Sequence, residues 1–302
     1  MAADLAASLS QESVVRINES LAKRTTLRVG GPADLYVEPA SEADLSAVLR
    51  FCFDRSLPFF LLGRGSNLLV QDGGYRGAVI CLAHSLFSQV EVNGAVLRCG
   101  AGARLKAVTM EAKRHGLGGL EFLEGIPGSV GGALRMNAGA MGGAMFDVVE
   151  SVRLMSFQGV ARDVGTEEVA VSYRCCGTLK THVALGAALR GKPDTAQAIA
   201  ERLRRFSQKR WSSQPAAPSA GCIFKNPATI PAGKLIEELG LKGMRVGGAS
   251  VSLEHGNFII TNHSAKARDV LDLIELIRAR SRSQRGLELE TEVEILGECR
   301  EN

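Results

Sequence analysis

Apolar positions along the chain switch repeatedly between helical and strand spacing. Leu45, Val48, Leu49 and Cys52 recur at i, i+3, i+4 and i+7, the stripe of an amphipathic helix. Ser41, with Asp44 three residues on, supplies the cap that starts it. Ahead of that helix, "RVGGPADLYVEPAS" (28–41) reads as strand, tight turn and strand. Behind it, "PFFLLG" and "GAVICL" read as short buried strands on either side of the turn "GRGSN" and the strand "LLV". A second block opens with "VEVNGAVLRCG", whose alternation around Asn93-Gly94 predicts a hairpin. "ARLKAVTMEAKRHG" follows as an amphipathic helix stopped by Gly116. "VESVRLMSFQGVARDV" and "THVALGAALRG" read as strands. The third block begins with the basic helix "DTAQAIAERLRRFSQKR", passes the loop "WSSQPAAPSAG" and adds the helix "AGKLIEELG". Strands in "ASVSLEHGNFIIT" lead to a long helix with Val270, Leu273, Ile274 and Ile277 on one face. "LELETEVEILG" reads as a closing strand. Strands and helices mixed in short blocks predict an α+β architecture, divided at 1–83, 84–192 and 193–302.

Composition narrows the class of protein. The chain has 302 residues, 45% apolar and 23% charged, with a net charge of +4. That balance is ordinary for a globular protein and too mild to argue for nucleic acid. The basic stretches Arg202 to Arg210 and Arg278 to Arg285 carry no interleaved aromatics, and read as solvated helix faces. No apolar run reaches the roughly 18 residues that span a bilayer. The start "MAADLAASLSQES" has neither the basic opening nor the apolar core of a signal peptide. The seven cysteines include no C-x-x-C pair, so they are expected as reduced thiols in a cytoplasmic protein, without a metal site. Cys52, Cys81 and Cys99 lie in apolar periodic segments and are expected as core filler.

Glycine changes the picture. There are 34 glycines, and they cluster. In "LLGRGSNLLV" a strand runs into Gly63, Arg64, Gly65, Ser66 and Asn67 and then resumes. Two readings stay open for it: a plain β-turn, or a nest of N–H groups that holds a diphosphate. No Walker or Rossmann glycine pattern is present. The second cluster, "GIPGSVGGALRMNAGAMGG" (125–143), leaves long stretches of bare backbone, which is costly in folding entropy. Ile126, Val130, Leu134 and Met136 argue against a mobile surface loop, so main chain packed on a flat or phosphorylated ligand is the favoured reading.

Taken in order, "GRGSNLLV", "EGIPGSVGGALRMNAGA", "YR", "SAGCIFKNP", "AGKLIEELGLKG" and "LETEVEILG" resemble the UDP-N-acetylenolpyruvoylglucosamine reductases of bacterial peptidoglycan synthesis. The likeness runs from about Thr26 to Gly297. The lack of extra segments between "YR" and "SAGC" resembles the shorter of the two subtypes. The resemblance implies a two-subdomain FAD-binding module of the vanillyl-alcohol-oxidase (PCMH) type, followed by an α+β domain that receives the UDP-sugar. It implies that NADPH reduces FAD, that hydride passes from the flavin N5 to the enolpyruvyl carbon, and that a proton is added next to the carboxylate. It also implies NADPH and UDP-N-acetylglucosamine enolpyruvate as partners, and a monomer.

The site residues follow from the same resemblance. For the cofactor they are Gly63, Arg64, Gly65, Ser66, Asn67, Leu68, Gly125, Pro127, Gly128, Ser129, Gly131, Gly132, Asn137, Ala138 and Gly139. For the substrate they are Tyr173, Arg210, Lys225 and Asn226. Arg174 matches the family arginine; a guanidinium grips a carboxylate in a fork and stabilises the negative charge that hydride addition creates. Glu292 matches the family glutamate, which would act protonated or through a partner. Spacing alone does not separate it from Glu288, Glu290 and Glu294 on the same strand face. At the position of the usual proton-donating serine this chain has Cys222. A thiol, with an ordinary pKa of about 8.5, is protonated at neutral pH and gives its proton up readily; the alternative is a small buried hydrophobe. Two other functions stay open: a flavin oxidase or dehydrogenase for another substrate, and a non-catalytic nucleotide-sugar sensor.

Overall fold

A computed structural model describes residues 1–299. Its contacts divide the chain into two units. The first comprises 1–17, 35–64 and 77–210, and the second comprises 18–34, 65–76 and the chain from Trp211 onward. The architecture is α+β.

The first unit holds most of a four-stranded sheet with the order Val14–Ser20, Pro32–Glu38, Tyr75–Cys81, Phe59–Leu62, the last two parallel. The helix Glu42–Asp54 begins where its cap predicts, with Asp44 N–H donating to Ser41 Oγ at 3.0 Å. Its stripe of Leu45, Val48, Leu49 and Cys52 packs on Leu35, Val37, Ala78 and Ile80 to make one core. Burial pushes the Asp44 carboxyl up, but bonds from the Ser10 N–H and from the Ser10, Ser41 and Ser13 hydroxyls outweigh it and hold the group low. A five-stranded antiparallel sheet follows, with the order Ala161–Gly165, Val149–Ser156, His182–Arg190, Val96–Gly100, Val90–Asn93. Leu97, Leu154 and Leu189 from it bury against Leu105, Val108 and Ala112 of the helix Leu105–Arg114 as a second core. The predicted hairpin forms, but its two-residue turn is Gly94-Ala95, with Gly94 at φ 58°.

The second unit holds a four-stranded sheet with the order Ser219–Cys222, Phe258–Thr261, Ala249–Val251, Arg245–Val246. The helices Ala232–Glu238 and Ala267–Arg285 cover it, and Val270, Leu273, Ile274 and Ile277 do face the core. Asp72 receives the Ala267 and Arg268 N–H groups at 2.9 Å each, which fixes the start of the long helix. A short parallel pair, Glu294–Leu296 with Leu68–Val70, joins segments far apart in sequence.

Four local readings are corrected. Residues 28–31 are irregular rather than a strand, because Gly30 and Gly31 sit where main chain crosses main chain. A Cβ at Gly30 would lie 2.4 Å from the Val70 carbonyl oxygen, and one at Gly31 2.4 Å from that of Asp72. The basic helix runs Ala196–Ser213, taking in Trp211-Ser212-Ser213 of the expected loop. The closing strand is confined to Glu294–Leu296, the stretch in register with Leu68–Val70; ahead of it Thr291 makes an isolated bridge to Phe224, and the exposed Glu288 and Glu290 pair with Arg282 and Lys225. Cys52 and Cys99 are buried as expected, and burial raises both thiols, Cys52 to about 11 and Cys99 to about 12. Cys81 is only partly buried and shares a hydrogen bond with Tyr36.

Candidate active site

The named residues gather into two clusters, one in each unit. In the first unit the two glycine segments meet. Gly63 ends the strand Phe59–Leu62, and a Cβ there would lie 3.0 Å from Ser129 Oγ and 3.9 Å from Gly132 Cα. A Cβ at Gly132 would meet nothing within 4 Å except Ser129 Oγ, at 3.6 Å. Bare main chain therefore flanks the Ser129 hydroxyl on two sides. Gly131 faces the other way, against Ala101, at 3.1 Å from its Cβ, which packs the short helix Val130–Arg135 on the core. Two bare glycines around one hydroxyl fit a flat or phosphorylated group, the kind of ligand that FAD is. The approach to this cradle, Glu121–Gly125, is pinned by its carboxylates. Glu121 is bound by Arg202 and by the Gly119 N–H, and Glu124 by the Thr109 hydroxyl.

Three non-glycine residues near this segment take left-handed backbone: Asn137 at φ 37°, Met141 at 54° and Arg174 at 55°. Such conformations cost on the order of 1–2 kcal/mol each and gather at functional sites. Asn137 spends its amide on structure, accepting from the Phe146 N–H and donating to the Ser172 carbonyl. Those bonds tie the hairpin 139–144 to the strand Val171–Ser172, which leads directly to Arg174. Arg174 Nη2 donates to the Gly139 carbonyl at 3.3 Å, and a Cβ at Gly139 would lie 3.0 Å from Nη1. The guanidinium also lies over the exposed Tyr173 ring, 5.1 Å from its centroid. So Asn137 and Gly139, expected at the cofactor, are brought together with Tyr173, expected at the substrate, and with Arg174. Gly125 lies beside Ala140 and Met141, and Gly128 accepts from the Leu105 N–H. Arg210, also in this unit, is partly buried on its helix rather than a solvent-facing cation. Burial lowers its pKa, and the nearby Glu124 opposes the shift.

In the second unit the chemistry is held by hydrogen-bond ladders. Gly65 needs positive φ (60°), and a Cβ there would lie 2.5 Å from the Arg24 carbonyl oxygen. Its carbonyl accepts from the Thr26 N–H and hydroxyl. Asn67 donates through Nδ2 to the Glu292 carbonyl at 3.0 Å, and its own carbonyl accepts from the Glu294 N–H. Leu68 then opens the parallel pair with Glu294. The turn expected to hold a cofactor thus also fixes Glu292. Cys222 ends the strand Ser219–Cys222 just after a bulge, where Gly221 takes φ 75°. The next carbonyl, Ile223, accepts from the Glu292 N–H at 2.8 Å. Cys222 and Glu292 are therefore neighbours across one ladder, and both are partly buried. The other glutamates separate from Glu292: Glu288 and Glu290 are exposed and paired. Lys225 is the partner of Glu290, and the Asn226 side chain caps the helix Ala232–Glu238, its Oδ1 accepting from the Ala232 N–H at 3.0 Å.

Sequence reasoning missed Asn257. It lies in "EHGNFIIT", which read simply as strand, yet its buried amide clamps Phe224. Nothing in its local pattern marks it, since its role depends on a strand distant in the chain.

Residues 33–165 match the family described as FAD binding domain. With its α+β fold and glycine cradle, the chain is a flavin-dependent oxidoreductase. Residues 214–296 match the family described as UDP-N-acetylenolpyruvoylglucosamine reductase, C-terminal domain. The chain is 42% identical to the UDP-N-acetylenolpyruvoylglucosamine reductase of Moorella thermoacetica, covering 94% of each. It is 39% identical to that of Syntrophomonas wolfei, covering 94% of this chain and 95% of the relative. The crystal structure of the Thermus caldophilus reductase matches with a TM-score of 0.83 at 38% identity, over 94% of this chain and 100% of that one. The chain belongs to the UDP-N-acetylenolpyruvoylglucosamine reductase family. No helix among the described residues is long and apolar enough to cross a membrane.

Proposed function

We propose that this protein reduces the enolpyruvyl group of UDP-N-acetylglucosamine enolpyruvate to UDP-N-acetylmuramate, with NADPH as reductant, in cytoplasmic peptidoglycan precursor synthesis. The division at 1–83, 84–192 and 193–302, with FAD held by the first two parts, belongs to this proposal, as does a monomeric state. Bound FAD supplies the hydride that NADPH provides. Gly63, Gly65, Ser66, Asn67, Ser129, Gly132 and Gly139 would hold it, with Arg64, Leu68, Gly125, Pro127, Gly128, Gly131, Asn137 and Ala138 around them.

The chain's own residues handle charge and proton. Hydride addition at the terminal enolpyruvyl carbon pushes an electron pair onto the carbon beside the carboxylate. Arg174 holds that carboxylate in its guanidinium fork and stabilises the developing charge. Cys222 keeps a proton on Sγ and delivers it to that carbon, leaving a thiolate that water reprotonates. Glu292 stabilises the enolate oxygen, carrying a proton or acting through a partner. Tyr173, Arg210, Lys225 and Asn226 hold the nucleotide sugar. The observation that carries this reading is the ladder that sets Cys222 beside Glu292 through the 2.8 Å bond from the Glu292 N–H to the Ile223 carbonyl.

The test is to purify the protein and follow NADPH oxidation with and without UDP-N-acetylglucosamine enolpyruvate. A yellow protein with substrate-dependent oxidation is expected. Oxidation indifferent to that substrate overturns the reading in favour of another flavin enzyme. A colourless protein that only binds the UDP-sugar overturns it in favour of a sensor.

A further inference from the structure

The geometry points to Asn257 as a positioning residue that holds the proton-delivering segment in register with Glu292. Asn257 is 3% exposed, and its polar groups are committed to one stretch of chain. Its carbonyl accepts from the Ile223 N–H at 2.9 Å. Its Oδ1 accepts from the Phe224 N–H at 2.9 Å, and its Nδ2 donates to the Phe224 carbonyl at 2.8 Å. Its own N–H donates to His255 Nδ1 at 3.1 Å.

This arrangement answers a local problem. The strand Ser219–Cys222 is paired to Phe258–Thr261 only as far as Cys222 opposite Phe258. Beyond that point the partner chain turns away, and Phe224 is buried with both main-chain groups needing partners. The Asn257 amide supplies a donor and an acceptor in the place of the missing strand residue. The opposite edge of the same three residues carries the catalytic partner. The Ile223 carbonyl takes the Glu292 N–H, Phe224 bridges Thr291, and the Lys225 N–H donates to the Glu290 carbonyl. Residues 223–225 are thus held between Asn257 on one side and 290–293 on the other. Cys222 leads into this stretch, and Glu292 hangs from it. Releasing Asn257 lets the stretch shift, and a displacement of about 1 Å at a reacting group costs on the order of 100-fold in rate. Asn257 touches neither the thiol nor the carboxylate in this network, so its effect runs through the backbone.

The experiment compares Asn257→Leu and Asn257→Asp with Thr261→Val in the FAD-loaded enzyme. Leucine removes both amide bonds, and aspartate keeps the acceptor only. Thr261→Val is the stability control on the same strand, since it breaks a buried bond from Thr261 Oγ1 to the Leu27 carbonyl. Rapid mixing separates flavin reduction by NADPH from reoxidation by UDP-N-acetylglucosamine enolpyruvate. Both Asn257 variants are expected to slow reoxidation by roughly 10-fold or more, leucine more than aspartate, while flavin reduction stays within about 2-fold. Thr261→Val is expected to change neither. Hydrogen exchange over 289–294, which Asn257 does not touch, is expected to speed up by roughly 10-fold in the Asn257 variants only. If the leucine variant does not fold, the aspartate variant decides. Unchanged reoxidation and unchanged exchange overturn the proposal, and so does equal slowing by Thr261→Val. The kinetic part rests on the roles given to Cys222 and Glu292. Full turnover by Cys222→Ala would remove those roles, whereas the exchange over 289–294 would still decide whether Asn257 holds the register.

Discussion

The cluster around Arg174 and the cluster around Cys222 are built by opposite means. The first relies on local backbone freedom: bare glycines at 63 and 132, and left-handed φ at Asn137, Met141 and Arg174. The second relies on long-range main-chain ladders, in which Asn67, Ile223 and Asn257 fix Glu292 and the stretch after Cys222. The difference teaches where each is vulnerable. A strained local conformation is sensitive to the residue that adopts it, and its replacement relieves strain. A ladder tolerates changes in exposed side chains but fails when one buried partner is lost.

The two glycines of "GRGSN" put that contrast within three residues, and give the largest expected effect. Gly65→Ala places a methyl 2.5 Å from a carbonyl oxygen at φ 60°, and should cost roughly 2–5 kcal/mol from left-handed strain and overpacking combined. Gly63→Ala comes tight only against the Ser129 hydroxyl, which can rotate, and makes ordinary contact with Gly132, so chemical denaturation should show a change below about 1 kcal/mol while FAD affinity falls. Equal destabilisation by the two would break the comparison. Next comes the thiol. Cys222→Ala should lose about 100-fold or more in steady-state turnover, the usual worth of a general acid, yet still let NADPH reduce the flavin. Cys222→Ser should keep substantial turnover. Full activity in the alanine variant would remove the thiol from the mechanism.

Arg174→Gly sharpens the contrast from the other side. Releasing the φ of 55° should largely offset the lost side-chain contacts with Gly139 and Tyr173, leaving stability changed by less than about 1 kcal/mol, while turnover is abolished. A clear fall in melting temperature would mean that the local strain is not what sets this cluster. The smallest effect belongs to Glu290→Gln. It breaks the exposed pair with Lys225 but leaves the Glu290 carbonyl bonded to the Lys225 N–H, so denaturation should shift by less than about 1 kcal/mol.

What could be read from the chain in advance divides along the same line. The helix at 42–54 and the hairpin at 90–100 are local in period, cap and turn, and the helix at 267–285 carries its period within itself although Asp72 fixes its start; their patterns placed all three correctly. The segment 286–293 carried a strand-like alternation, but its glutamates answer to Arg282 and Lys225, which no local pattern reveals. Gly30 and Gly31 were visible as glycines, yet their reason lies in the crossing of Val70 and Asp72. At the candidate site, the glycine segments announced themselves by composition. Arg174, Cys222 and Glu292 were singled out only by likeness to a family, because one arginine, one cysteine and one of four alternating glutamates carry no spacing of their own. Asn257 went unseen because a buried amide has value only through the strand residue it replaces.

The pairing of Leu68–Val70 with Glu294–Leu296 has a consequence during synthesis. The Asn67 side chain and the Glu292 carbonyl it binds are 225 residues apart. At roughly 5–20 residues per second, about 11–45 s pass between the emergence of the one and of the other from the ribosome. Through that interval the helix at 42–54 and the hairpin at 90–100 can form, since their partners are close in the chain. The turn at 65–67 meanwhile waits with its partner strand unmade. The second unit therefore cannot complete this pairing until 294–296 has been made, which makes it a non-local closure. A chain that ends short of residue 294 would leave Leu69 without its strand partner Ile295.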